Sequence, residues 1–408
     1  MSRLKDALLF ITFAIPKAGA KIGGFPLYIS LLSSMYFMFM GALHALTRPK
    51  ELLLALIPLI LLLLSFLINQ SSYNALFFSG SPFLPLSSQI AYISSMFAFF
   101  CYYGALGINN ADNWKRYLKL IFYILVIYAL MQKIIGDYTV VIPGITANFQ
   151  DAVTPNFLAD KNNMIWGIHY LKATSTYQNG NVFGANLLLI GFAVIANLRN
   201  ELKGTIVPLA LLGIVVLLTA SASIYLGMIG ALLWMFFTAE KKSPMALIIM
   251  LLVIVASVVM FLILLNTDNI FSKIIYERLV NRDLSQGSGR IEKIIYYIDI
   301  ITEHPLILLN GMLSYNRTFY EIYEVLPASI AQIFGVPMML YFLSFIFLKL
   351  KPLLRSPYIL PFVAYFCAAL SDGAFWLPPT ATNLFIMMGL CTVWFNQECK
   401  NKTEGAND

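Results

Sequence analysis

Residues 52–68 read LLLALIPLILLLLSFLI, a run with no charge and with Ser65 as its one hydroxyl side chain. A helix lying at the surface of a water-soluble domain would need a polar face, and this run offers none. An apolar helix of about 20 residues spans roughly 30 Å of hydrocarbon and satisfies its own backbone there. Residues 246–265 and 325–348 have the same character. A transmembrane β-barrel would instead alternate apolar and polar positions over about ten residues, and no such alternation survives along these runs. The expected fold is therefore all-α, a polytopic integral membrane protein forming one domain over residues 1–408.

The whole chain agrees with that stretch. Its apolar fraction is 59% and its charged fraction 12%, against roughly 45–50% and about 25% in soluble domains, which excludes a water-soluble globule. The net charge of +7 comes from basic residues scattered among loops, so it reads as topology and not as a nucleic-acid surface. Cys101, Cys367 and Cys391 lie in apolar runs and Cys399 near the C-terminus, and no disulfide framework is implied. Arg3 and Lys5 precede a short apolar stretch, but no small-residue cleavage site follows cleanly, and Lys17 and Lys21 stand where one would fall. A retained anchor is expected.

About twelve spans are expected, at 7–16, 25–46, 52–68, 83–106, 117–135, 181–198, 205–219, 222–238, 246–265, 325–348, 358–370 and 380–395. With both termini in the cytoplasm, every short loop on that side is basic. The opposite short loops 69–82, 220–221 and 371–379 carry no Lys or Arg, the asymmetry of the positive-inside rule. The first hairpin is the exception, because Lys17 and Lys21 would face outward. Two outward loops are long, 136–180 and 266–323, and loops of that length are usually functional or disordered. In the second, Ile291, Ile294, Ile295, Ile298 and Ile301 recur at helical spacing away from Glu292, Asp299 and Glu303. An amphipathic helix is expected there, lying on the membrane surface or capping the bundle.

That loop also holds Arg278, Arg282, Arg290 and Arg317, four of the nine arginines, on the side where positive charge is normally avoided. Guanidinium forks match phosphate geometry, and Arg290 opens the expected helix, where free N–H groups also attract phosphate. Snorkelling to headgroups, or pairing with Glu277, Asp283 and Glu292, is the plainer reading. Glu321 and Glu324 are three apart at the mouth of the tenth span, placed to act as a general base or simply to favour a helix N-terminus ahead of Pro327. His304 and His169 are further candidate bases. Asn148, Asn156, Phe149, Trp166 and Tyr177 in the first loop suit sugar rings, though asparagine is also an ordinary loop residue. No Asp-x-Asp pair, Walker loop or GxGxxG occurs, so neither a metal-clamping nucleotide-sugar transferase nor an ATP-driven pump is expected.

Three stretches carry a family resemblance. ATSTYQNGNVFGANLLL (173–189) is similar to a small-residue, asparagine-rich lead into a helix. SGRIEKIIYYIDIITEHPLILLNG (288–311) is similar to a Gly-Arg, amphipathic helix, Pro, Gly pattern, and QIFGVP (332–337) to a glycine-containing segment after a large loop. All three patterns resemble those of the Wzy-type O-antigen polymerases, a family that the chain is similar to and that shares a membrane fold with the O-antigen ligases. The resemblance implies a bacterial inner-membrane enzyme that joins undecaprenyl-pyrophosphate-linked repeat units at the periplasmic face by metal-independent, inverting glycosyl transfer, without a cofactor. Pyrophosphate would be held by Arg290, Arg278, Arg282 and Arg317 with Lys172 as auxiliary. Glu324 would serve as base, with Glu321 and His304 as substitutes. Lipid-linked glycans, membrane lipids and a chain-length regulator protein are the implied partners, and nucleic acid is not among them. The chain departs from the family where a His-Asn pair often precedes the tenth-span glycine: that place falls near Glu324, with no histidine. The departure favours a polymerase over a ligase. A lipid-linked oligosaccharide flippase is the alternative from another class, and it should place charges within the spans.

Overall fold

The computed structural model describes residues 2–22, 25–68, 94–108, 111–152, 162–165, 168–177, 179–199, 202–238, 290–311, 325–370, 376 and 379–404. Helix α1 (Ser2–Ala14) leads into a hairpin of β1 (Gly19–Ile22) and β2 (Phe25–Tyr28), then α2 (Ile29–Leu46) and α3 (Pro49–Ile68). Next come α4 (Phe100–Leu106), α5 (Ala111–Ile135) and a second hairpin, β3 (Asn162–Ile165) with β4 (Ile168–Leu171). Helices α6 (Gly180–Leu198), α7 (Leu202–Leu218) and α8 (Ala222–Thr238) follow, then α9 (Arg290–Glu303) and α10 (Ile307–Asn310). Last are α11 (Leu326–Phe334), α12 (Val336–Leu350), α13 (Leu360–Ala369) and α14 (Thr380–Glu404). Four stretches, Ile29–Leu46, Ala111–Ile135, Gly180–Leu198 and Val336–Leu353, are long and apolar enough to cross a bilayer, and three shorter apolar helices join them.

Burial runs opposite to that of a water-soluble bundle. On α2, Leu32, Met35, Phe39, Leu43 and Leu46 form an exposed stripe at three- and four-residue spacing, while Ser30, Ser33, Ser34 and Gly41 face inward. Hydrocarbon tolerates the outer stripe, and small residues inside let helix backbones meet. Gly41 and Gly104 show the effect, since a Cβ on either would strike a backbone carbonyl, Phe100 or Phe37, across the α2–α4 contact. Helix α6 is the buried centre, packed by α5, α7, α8, α13 and α14. The chain is thus a helical membrane protein, with strand confined to two short hairpins among the described residues.

A few hydrogen bonds establish which helix ends lie together. The Trp114 indole donates to Asp6 at 2.8 Å, the Trp394 indole to the Ala111 carbonyl at 2.8 Å, and Arg199 pairs with Glu398 at 2.7 Å. These contacts gather at one end the residues that charge asymmetry assigns to the basic side. At the other end the last carbonyls of α1, Phe13 and Ala14, accept from Tyr177 and Thr176. Helix α1 therefore runs from one end of the bundle to the other, about 20 Å for its 13 residues.

Several expectations need correction. Residues 25–28 belong to a strand and not to the second span. Lys17, at the turn after α1, is 4% exposed, a burial that either side of the membrane allows. The tenth span is not one helix: Gly335, at φ +89°, divides it into α11 and α12, and Pro337 sits in the first turn of the second piece. The span expected at 246–265 lies outside the described residues.

Candidate functional site

The lead into α6 is a buried polar strap. Ser175 holds a left-handed backbone at φ +47°, a conformation that costs a side-chain-bearing residue about 1–3 kcal/mol. Gln132 at the end of α5 clamps it from both sides. Its Oε1 accepts the Ser175 N–H at 2.8 Å, and its amide donates to the Ser175 carbonyl at 3.3 Å. The Ser175 hydroxyl donates to Leu125 at 2.9 Å, and Ala173 N–H to Leu218 at 3.1 Å. The strap thereby ties α1, α5 and α7 to the start of α6. Asn179 caps that helix, its side chain accepting from Val182 N–H at 2.8 Å.

Lys172 stands at the same mouth. Its ammonium donates to Asn181 at 2.9 Å, and its stem lies where a side chain on Gly180 would be. Nearby, Lys133 pairs with Asp137 at 2.9 Å and donates to the Leu171 carbonyl. Burial pushes the Asp137 carboxyl up, and the Lys133 hydrogen bond opposes that shift. Two residues expected to face sugar instead serve the fold: Asn148 and Tyr177 are buried, the Asn148 amide donating to the Tyr28 hydroxyl at 3.4 Å and the Tyr177 hydroxyl to Phe13 at 2.7 Å.

One and a half turns into α6, Asn186 meets the last helix. Asn383 donates to its Oδ1 at 2.7 Å, while Asn186 donates to Val182 at 2.8 Å and reaches Thr380 at 3.4 Å. All three side chains are fully buried, and Asn383 Oδ1 has no partner. On its other side the start of α14 meets α12. Trp376 packs edge-on to Phe342 at 4.4 Å, with its indole nitrogen likewise buried and unbonded. The beginning of α14 thus meets α6 on one side and α12 on the other.

The other two resembling stretches are joined directly. A Cβ on Gly311, at φ +70°, would lie 2.2 Å from the Ile333 carbonyl oxygen, and one on Gly335 would lie 2.2 Å from that of Leu309. Each glycine gives way to the other's chain, so α10 is seated in the break between α11 and α12. Helix α9 is carried on this junction. Ile300 and Tyr297 face the protein, the Tyr297 hydroxyl reaching the Ala331 carbonyl at 3.5 Å, with burial pushing that hydroxyl up to about 12. Ile295 and Ile298 point away, about half exposed at 53% and 52%, as a helix resting against lipid headgroups would present them.

Among the sequence-derived candidates, Arg278, Arg282, Arg317, Glu321 and Glu324 lie outside the described residues. Arg290 is the first residue of α9, and His304 follows its last. The helix sets the two about 20 Å apart along its axis, at its opposite ends. His304 stands 3.9 Å from the Glu303 carboxylate and caps α9 through its backbone N–H, which donates to Ile300 at 2.8 Å. Gln132, Asn186, Thr380 and Asn383 escaped the sequence reading. Their signal, an amide or hydroxyl inside an apolar run, becomes informative only when a partner is seen. Comparison with family models, curated proteins and solved structures gives no match.

Proposed function

We propose that the chain is a membrane glycosyltransferase that polymerises surface polysaccharide of the O-antigen type from undecaprenyl-pyrophosphate-linked repeat units at the outer face of the inner membrane. The acceptor's sugar hydroxyl attacks the donor's anomeric carbon from the side opposite the leaving group. The glycosidic bond forms, the bond to pyrophosphate breaks with inversion, and the carrier leaves as undecaprenyl pyrophosphate. Because the pyrophosphate is a good leaving group, the protein's task is to position two lipids and to neutralise developing charge. Arg290, Arg278, Arg282 and Arg317 hold the diphosphate, Lys172 assists from the mouth of α6, and Glu324 takes the hydroxyl proton, with Glu321 as its substitute. The 20 Å between Arg290 and His304 makes His304 a poor base for a bond formed beside that diphosphate and suits it to the distal glycan.

The observation that carries this reading is the reciprocal close approach of Gly311 to the Ile333 carbonyl and of Gly335 to the Leu309 carbonyl. That close approach seats the arginine-headed amphipathic helix against the bundle, which supports its meeting a lipid-borne diphosphate at the membrane surface. Transport is disfavoured because Lys17 is the one charged side chain buried among the described residues, whereas a flippase would line its path with charge. The test is Arg290→Ala in the native host, with surface polysaccharide resolved on a gel. Loss of long chains with a single repeat unit retained and protein abundance unchanged is expected, and full-length polymer removes Arg290 from the mechanism. Growth of lipid-linked repeats in membranes that lack lipid A-core separates a polymerase from a ligase.

A further inference from the structure

At the opposite end of the molecule, the basic one, a cleft of about 590 Å³ opens between the ends of α6, α8 and α14 and the start of α13. Arg199, Arg355 and Lys402 line it with a single carboxylate, Glu398, and that carboxylate is taken up by Arg199 at 2.7 Å and by the Tyr358 hydroxyl. Arg355 and Lys402 have no carboxylate partner among the described residues. The Ser356 hydroxyl, also on the lining, is buried with no hydrogen-bond partner. Deeper in, the wall turns apolar with Trp234, Met235 and Phe395. It runs on to the outer surface of α8, where Leu233 and Phe237 are exposed.

We infer that this cleft binds the phosphate of an anionic membrane phospholipid. Two uncommitted cations and an unsatisfied hydroxyl supply donors for phosphate oxygens, and the apolar wall gives an acyl chain a route back into the bilayer. Free phosphate would use the donors but leave that wall bare, which is why a lipid is the better occupant. Basic loops alone would satisfy topology without a cleft; a pocket between helices at this level is where anionic headgroups are recognised. The inference rests on the membrane fold and not on the proposed glycosyl transfer.

The full-length protein in phosphatidylcholine nanodiscs, with or without phosphatidylglycerol, provides the test, with bound lipid counted by native mass spectrometry and the unfolding midpoint followed. Phosphatidylglycerol should be retained and should raise the midpoint. The double variant Arg355→Gln/Lys402→Gln should bind it roughly thirty-fold more weakly while unfolding normally in phosphatidylcholine alone. Lys351→Gln/Lys400→Gln, which removes equal charge from the same end but outside the cleft, should bind as the wild type does. Equal losses in the two double variants would reduce the effect to general surface charge and overturn the site. An equal rise from inorganic phosphate in phosphatidylcholine discs would overturn the lipid assignment.

Discussion

Asn186 and Asn383 lie 197 positions apart in sequence and 2.7 Å apart in space. With both side chains fully buried, the alternative to this hydrogen bond is an orphaned amide, yet measured interhelical bonds in membranes average only about 0.6 kcal/mol because the unfolded chain also finds partners. Asn383→Leu should therefore lower thermal stability in detergent by about 1 kcal/mol, and Asn186→Leu/Asn383→Leu should recover much of the loss, since both amides then vanish together. A double variant no more stable than the two single losses added together would show that the pair does not act as a unit. Neither asparagine announced itself in the sequence, because one amide in an apolar run has no readable partner. Arg290 did announce itself, by lying in a loop on the side where positive charge is normally avoided.

At the scale of elements, apolar period and length made the helices legible. The run 222–238 was read to the residue, and 181–198, 205–219 and 52–68 came within a few positions. The tenth span misled because apolarity continues unbroken across Gly335, although Gly335 followed by Pro337 is itself a stop-and-restart signal for a helix. The hairpin at 19–28 was missed because backbone pairing, and not apolar alternation, defines so short a sheet. Gly335→Ala demands both a side chain at φ +89° and the space filled by the Leu309 carbonyl. The backbone strain alone costs about 1–3 kcal/mol. We expect a lower unfolding midpoint and shortened polysaccharide chains in the same variant. A folded, fully active Gly335→Ala would mean that the α10 junction does not position α9.

Over the whole molecule, the asymmetry of Lys and Arg predicts a sidedness, and the structure brings the ends of α1, α5, α6 and α14 together at one end of the bundle. Sidedness can be tested with two thiols. A cysteine replacing the exposed Thr302 should react with a membrane-impermeant maleimide in cells whose outer membrane alone is opened. The exposed native Cys399 should react only after the inner membrane is breached. The reverse pattern would put α9 in the cytoplasm and dismantle the proposed active site. Much of the second long loop, with Arg278, Arg282 and Arg317, and the neighbouring Glu321 and Glu324, was readable as sequence chemistry but lies outside the described residues.

The hydrogen bonds from Thr176 and Tyr177 to the end of α1 span 162 and 164 positions. At ribosomal rates, α1 leaves the exit tunnel on the order of ten seconds before its partners exist. Meanwhile Ser33 can donate to the Leu8 carbonyl at 2.9 Å, and Thr12 can pair with Ser33. Helices α1 and α2 are thus equipped to insert as a self-supporting hairpin, and arrival of the strap is the event that locks α1 to residues made much later.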